Sequence, residues 1–174
     1  MNGRRILGVD PGLRTTGYGV IELRDGALRL VEGGVLQPNP KEPLEQRLVQ
    51  LYDAMVEVVR ATRPDCMVVE ELWSGYKNPT TAVLMGHARG VLCLAADAHG
   101  VPVRHLVHSL VKRALVGSGG ASKEQVKRMV IQQLRLVTSP EPSDVSDALA
   151  LALALANIQE AEQRMTRLGV TAIR

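Results

Sequence analysis

From Ala148 to Ala156 the chain is an unbroken alternation of alanine and leucine, apolar on every side of a helix. The segment is about half as long as a membrane-spanning helix, which needs about 20 residues. It must therefore be buried inside protein. Directly before it stands Ser143-Asp144-Val145-Ser146-Asp147, so two carboxylates fall where a buried helix begins. Such a helix needs a broad apolar surface to lie on, and its N-terminus faces that surface rather than open water.

The rest of the sequence supplies a sheet. Arg5 to Asp10 reads as a strand that Pro11-Gly12 ends. Thr15 to Leu23 is a second strand, and Asp25-Gly26 is a hairpin turn leading to a third at Ala27 to Leu36. Pro38, Pro40 and Pro43 form a rigid link. Leu44, Leu48, Leu51, Met55, Val58 and Val59 then share one face of a helix that Pro64 terminates. Cys66 to Val69 is a continuous apolar run, as expected of a strand buried on both faces. A long helix at Thr80 to Ala98, a strand at Pro102 to Leu106, and helices at Ser109 to Leu115 and Ser122 to Leu136 follow. Ser122 is the predicted N-cap of the latter, with Glu124 in its first turn. The last helix runs from Ser143 to about Arg167. The order βββαβαβ, then helices, predicts a mixed five-stranded sheet flanked by helices in one α/β domain covering residues 1–174. With 174 residues the chain can build one sizeable core but not two. The last few residues are expected to be disordered.

The core must be aliphatic, since Trp73, Tyr18, Tyr52 and Tyr76 are the only aromatic residues and there is no Phe. Apolar content of 45% and charged content of 22% suit a soluble protein. A net charge of +3 and a pI near 9.1 are compatible with a polyanionic partner without requiring one. Cys66 and Cys93 are isolated and read as reduced thiols. The N-terminal apolar run is too short for a signal peptide, so a cytoplasmic location is expected.

Four acids stand at the ends of apolar elements, where a charge gains nothing for a core: Asp10, Glu70, Asp144 and Asp147. Acids so placed are either solvated or gathered around a cation. Taken alone, Gly8-Val9-Asp10-Pro11-Gly12 is equally an ordinary hairpin, and Glu70-Glu71 equally a solvated strand end. Acids in a first helical turn also interact favourably with the helix dipole. What favours a site is that all four can converge, and that only one of Glu70 and Glu71 shares a face with Asp10, Glu70 being preferred. The glycines around Asp10 would let backbone approach a ligand closely.

Trp73-Ser74-Gly75-Tyr76-Lys77-Asn78 follows Glu70 and combines aromatic, glycine and basic residues, which suits stacking on bases and contact with phosphate. Trp73 could equally cap the core. Gly117 to Lys123 is glycine-rich and flanked by Lys112, Arg113, Lys127 and Arg128, but it is not a Walker A loop. Gly86 and Gly90, about one turn apart, would admit a close helix partner, within the chain or in a second subunit. His87, His99, His105 and His108 form no ligand set and carry no assigned role.

Together these segments resemble the RuvC family of Holliday junction resolvases, in the ribonuclease H superfamily. The resemblance rests on GVDPGLRTTGYGV, VVEELW, NPTTAVLMGHARG, VKRALVGSGGASKEQV and SDVSDALALALA, in that order. It implies a ribonuclease H-like fold and a Mg²⁺-dependent endodeoxyribonuclease that resolves four-way junctions by paired symmetric nicks, in recombination and repair. The catalytic, metal-binding acids would be Asp10, Glu70, Asp144 and Asp147, holding two Mg²⁺ ions, with Mn²⁺ able to substitute. DNA contacts would fall on Trp73, Tyr76, Lys77, Lys112 and Lys123. Trp73 stands where many relatives have Phe, a larger π face. The resemblance further implies a homodimer and a branch-migration helicase complex of RuvA and RuvB type as partners, and no membrane. Rival readings are a YqgF-like enzyme of the same fold, a junction-binding module without catalysis, and an actin-like ATPase, which needs about twice this length.

Overall fold

The computed structural model describes residues 3–71 and 79–169. Strand β1 (Arg4–Asp10) runs into a short turn, and β2 (Thr16–Arg24) returns antiparallel beside it. Asp25 and Gly26 both take positive φ, 52° and 76°, the conformation of a two-residue hairpin turn. That turn leads to β3 (Ala27–Leu36), with a bulge opposite Val20 and Ile21. Helix α1 (Leu44–Thr62) ends on Arg63 in the left-handed conformation, one residue before Pro64. Then come β4 (Cys66–Glu70), α2 (Pro79–Asp97) and β5 (Val103–Leu106), followed by α3 (His108–Val116), α4 (Lys123–Leu134) and α5 (Ser143–Arg167). The sheet order is β3-β2-β1-β4-β5, antiparallel on the hairpin side and parallel from β1 outward. This is the mixed five-stranded sheet expected from the sequence.

Alternation along the central strands divides the interior into two cores. Leu7, Val9, Val20 and Met67 face α1 and α2. Ile6, Ile21, Cys66 and Val68 face α3, α4 and α5. Every residue from Ala148 to Ala156 is buried in the second core, as its composition demands. Ser122 caps α4 by accepting from the Gln125 amide at 3.2 Å, while its own amide donates to the Gln125 side chain at 2.7 Å, a reciprocal capping box.

The glycines near Asp10 admit a close neighbour that the sequence did not name. A Cβ on Gly8 would sit 1.9 Å from the Ala148 carbonyl oxygen, and one on Gly17 would sit 2.1 Å from that of Asp144. On Gly19 it would meet the Leu149 side chain at 2.5 Å. The close approach they permit is that of α5 to the sheet. Their register explains this, since Gly8 pairs with Gly19 and Asp10 with Gly17 across β1 and β2. A Gly8→Ala substitution places its methyl against backbone that cannot rotate away. It should destabilise the protein by about 3 kcal/mol, lowering Tm by about 6–12 °C in a thermal melt.

Candidate active site

Val9 lies opposite Val69 in the parallel β1–β4 pair, so Asp10 and Glu70 end neighbouring strands at the same level. Both continue the alternation of Ile6, Gly8, Cys66 and Val68, which puts their side chains on the face covered by α3 to α5. Glu71 falls on the other side of the alternation and is exposed, as expected. The turn after Asp10 is held by Thr16, which is fully buried. Its hydroxyl donates to the Gly12 carbonyl at 2.7 Å and accepts from the Gly12 amide at 3.1 Å. Arg47 of α1 donates to the Leu13 carbonyl at 3.0 Å and anchors the same turn from the opposite face of the sheet.

Above these two carboxylates lies a cavity of about 260 Å³. Asp10, Glu70 and Asp147 bring acid to its walls, Lys112 and Lys123 bring cationic groups, and His108 closes one side. Asp144, one turn earlier on α5, is not in the wall, though its charge reaches Asp10. Three of the four predicted acids are thus brought together, with the fourth beside them. Lys123 Nζ donates to Asp147 Oδ2 at 2.9 Å, and His108 Nδ1 lies 2.8 Å from Glu70 Oε1. Trp73, Tyr76 and Lys77 lie outside the described residues.

Electrostatics single out Asp10. Burial is the main reason that its carboxyl is pushed up to about 7, and the charges of Asp147, Glu70 and Asp144 add to it, with Lys123 acting in the opposite sense. The Lys123 ammonium in turn is held protonated above its ordinary range by its hydrogen bond to Asp147. More negative charge converges on Asp10 than Lys123 offsets. Among the described residues no three His, Cys, Asp or Glu side chains are gathered tightly enough to hold a metal ion as they stand. Two of the candidate acids are engaged by Lys123 and His108 instead. The donor chemistry still fits a hard divalent cation, because the acids offer only oxygen and Asp10 retains a proton that such a cation would displace.

Two residues escaped the sequence reading. His108, the first residue of α3, reaches into the site although no ligand spacing marked it. Arg89 of α2 donates from Nε to the Glu70 carbonyl at 3.1 Å and from Nη2 to His105 Nδ1 at 2.7 Å. The first had no local signal. The second lies within the GHARG segment, where basic character alone says nothing of its direction.

In the metal-free chain Asp10 binds its proton up to about pH 7, whereas unfolded it does so only to about 3.8. The folded state thus holds the extra proton between these values, and stability falls as pH rises through that window. Asp10→Asn should therefore melt higher than the unsubstituted protein at pH 8 in EDTA, with the difference shrinking toward pH 4. Equal melting temperatures at pH 8 would refute the raised affinity of Asp10.

The profile of the family described as "Crossover junction endodeoxyribonuclease RuvC" matches residues 6–155. A protein of that description from Rhodopirellula baltica is 47% identical over 148 residues, covering 85% of this chain and 83% of its own length. The solved structure of Thermus thermophilus RuvC superposes with a TM-score of 0.82 at 35% identity, covering 95% of this chain and 97% of that one. The same protein in complex with a Holliday junction substrate gives 0.85 at 36%, covering 91% and 96%. This chain belongs to the RuvC family of crossover junction endodeoxyribonucleases.

Proposed function

We propose that this chain resolves four-way DNA junctions by paired, metal-assisted phosphodiester hydrolysis, in recombination and repair in the cytoplasm. The observation that carries this reading is the cavity in which Asp10, Glu70 and Asp147 meet beneath Lys112 and Lys123. An anionic floor with cationic walls suits a phosphodiester that must approach carboxylates without being repelled. The solved complex of a 36% identical relative with a Holliday junction supports the substrate.

In this mechanism Asp10, Glu70, Asp147 and Asp144 would hold Mg²⁺, two ions in each site, with Mn²⁺ able to substitute. When bound, the ions supply Lewis-acid polarisation of the scissile phosphate and activation of the attacking water. Asp10 would give up its proton to solvent as the site loads. Lys123 releases Asp147 and turns its ammonium toward charge developing on the phosphate. Lys112 adds a second cation on the same side. Trp73, Tyr76 and Lys77 follow Glu70 directly in sequence and are the candidates for holding opened strands.

Paired nicks need two equivalent sites, which a two-fold dimer provides. Helix α2 offers a surface for it. Val83 and Leu94 are 58% and 59% exposed, and a Cβ on Gly86 or Gly90 would meet nothing within 4 Å. No described residue fills the close approach expected at these glycines, which supports a second copy as the helix partner. A branch-migration complex of RuvA and RuvB type completes the proposed partners.

A synthetic four-way junction should be nicked symmetrically in Mg²⁺ or Mn²⁺ and left intact in EDTA, while linear duplex survives. Cutting confined to RNA–DNA hybrids would move the chain to another ribonuclease H activity. Asp147→Asn should retain junction binding in a gel-shift assay and lose cleavage by at least about 10²-fold. Lys123→Ala should slow single-turnover cleavage by a similar factor while Mn²⁺ binding to the DNA-free protein persists.

A further inference from the structure

We infer that His108 is a positioning residue for Glu70: it holds one carboxylate oxygen so that the other is aimed into the cavity for a divalent cation. The inference rests on the proposed reading of this cavity as a metal-dependent nuclease site. Its own support is geometric. His108 Nδ1 stands 2.8 Å from Glu70 Oε1, and both residues line the same cavity. A carboxylate offers only acceptors, so the proton between them lies on Nδ1. Oε1 is thereby engaged, which leaves Oε2 as the carboxylate oxygen available to a cation. Carboxylates that bind metals are commonly held in this way by a hydrogen bond from outside the ligand set, and losing that bond typically lowers metal affinity 10–100-fold.

The backbone around the pair makes the arrangement stiff. The Glu70 carbonyl is taken by Arg89, and the Glu71 amide donates to the Leu106 carbonyl at 2.9 Å. His108 begins α3 only two residues beyond Leu106, so β5 fixes the distance between imidazole and carboxylate. Val111 and Leu115 bury the inner face of α3 in the core and keep His108 from swinging away. Glu70 without His108 would keep its backbone position but regain its side-chain rotamers.

The test uses the full chain without DNA, titrated with Mn²⁺ by isothermal calorimetry or by counting free Mn²⁺ with electron paramagnetic resonance. His108→Ala should weaken Mn²⁺ binding by about 10-fold or more. His108→Asn should restore most of it, because the Asn amide nitrogen falls where Nδ1 was. His108→Gln should not, since its amide lies one methylene farther out. The side chain is 60% exposed, so all three variants should fold, which a thermal melt checks. In cleavage assays at limiting Mn²⁺, kcat should fall in His108→Ala with KM for the junction unchanged. Unaltered Mn²⁺ affinity in His108→Ala would overturn the assignment, as would a change in KM alone, which would make His108 a DNA contact. Tighter Mn²⁺ binding would also overturn it, by showing that His108 competes with the cation. Equal behaviour of Asn and Gln would remove the Nδ1 contact as the cause. Failure of the unsubstituted protein to bind Mn²⁺ would overturn both the site and this inference.

Discussion

The contact between α5 and the glycines of β1 and β2 governs where everything else in the site can be. Ordinary helix-on-sheet packing is spaced by side chains on both partners. Here the strand side contributes none at Gly8 and Gly17, so helix backbone rests on strand backbone. The first turn of α5 is thereby pressed to the level of the β1 and β4 ends, and Asp147 enters the same cavity as Asp10 and Glu70. Larger residues at those positions would push α5 outward and open the cluster. Ala148 and Ala152, the residues of α5 nearest Gly8, serve the same end, since a helix seated this low has little room for bulk there.

Such closeness concentrates negative charge, and two side chains moderate it. Lys123 comes from the start of α4 and meets Asp147, while His108 comes from the start of α3 and meets Glu70. Each cationic or donor group is delivered by a helix separate from the acid it pairs with. Asp10, pushed up mainly by burial, has no such partner of its own among the described residues and responds by holding a proton. The described side chains thus neutralise the acids incompletely, which is the physical basis for proposing a cation there.

Most of the architecture is legible in the sequence because it follows from local rules. The apolar run at Cys66–Val69, the Asp25-Gly26 turn and the Ser122 cap each announce themselves through residues adjacent in the chain. The acids are legible because Asp10, Glu70 and Asp147 stand where apolar patterns stop. His108 and Arg89 are not, since their partners lie far away in sequence and depend on the strand order β1-β4-β5, which no local pattern encodes. The neighbour of these glycines is hidden for a related reason. Close approach is readable from Gly8 and Gly17, but what approaches is decided by the tertiary packing of α5, more than a hundred residues later.

Glu70 is gripped from both faces of the sheet, by Arg89 of α2 on its carbonyl and by His108 of α3 on its carboxylate. Directly after it the Glu71 amide is tied to β5. These ties act as a mechanical break between Glu70 and residues 72–78, which carry the aromatic and basic candidates for DNA contact. A pull arriving at Glu71 would be taken up by β5 and α2 before it could tilt the carboxylate. Strain imposed beyond Glu71 would thus leave the position of the Glu70 carboxylate unmoved.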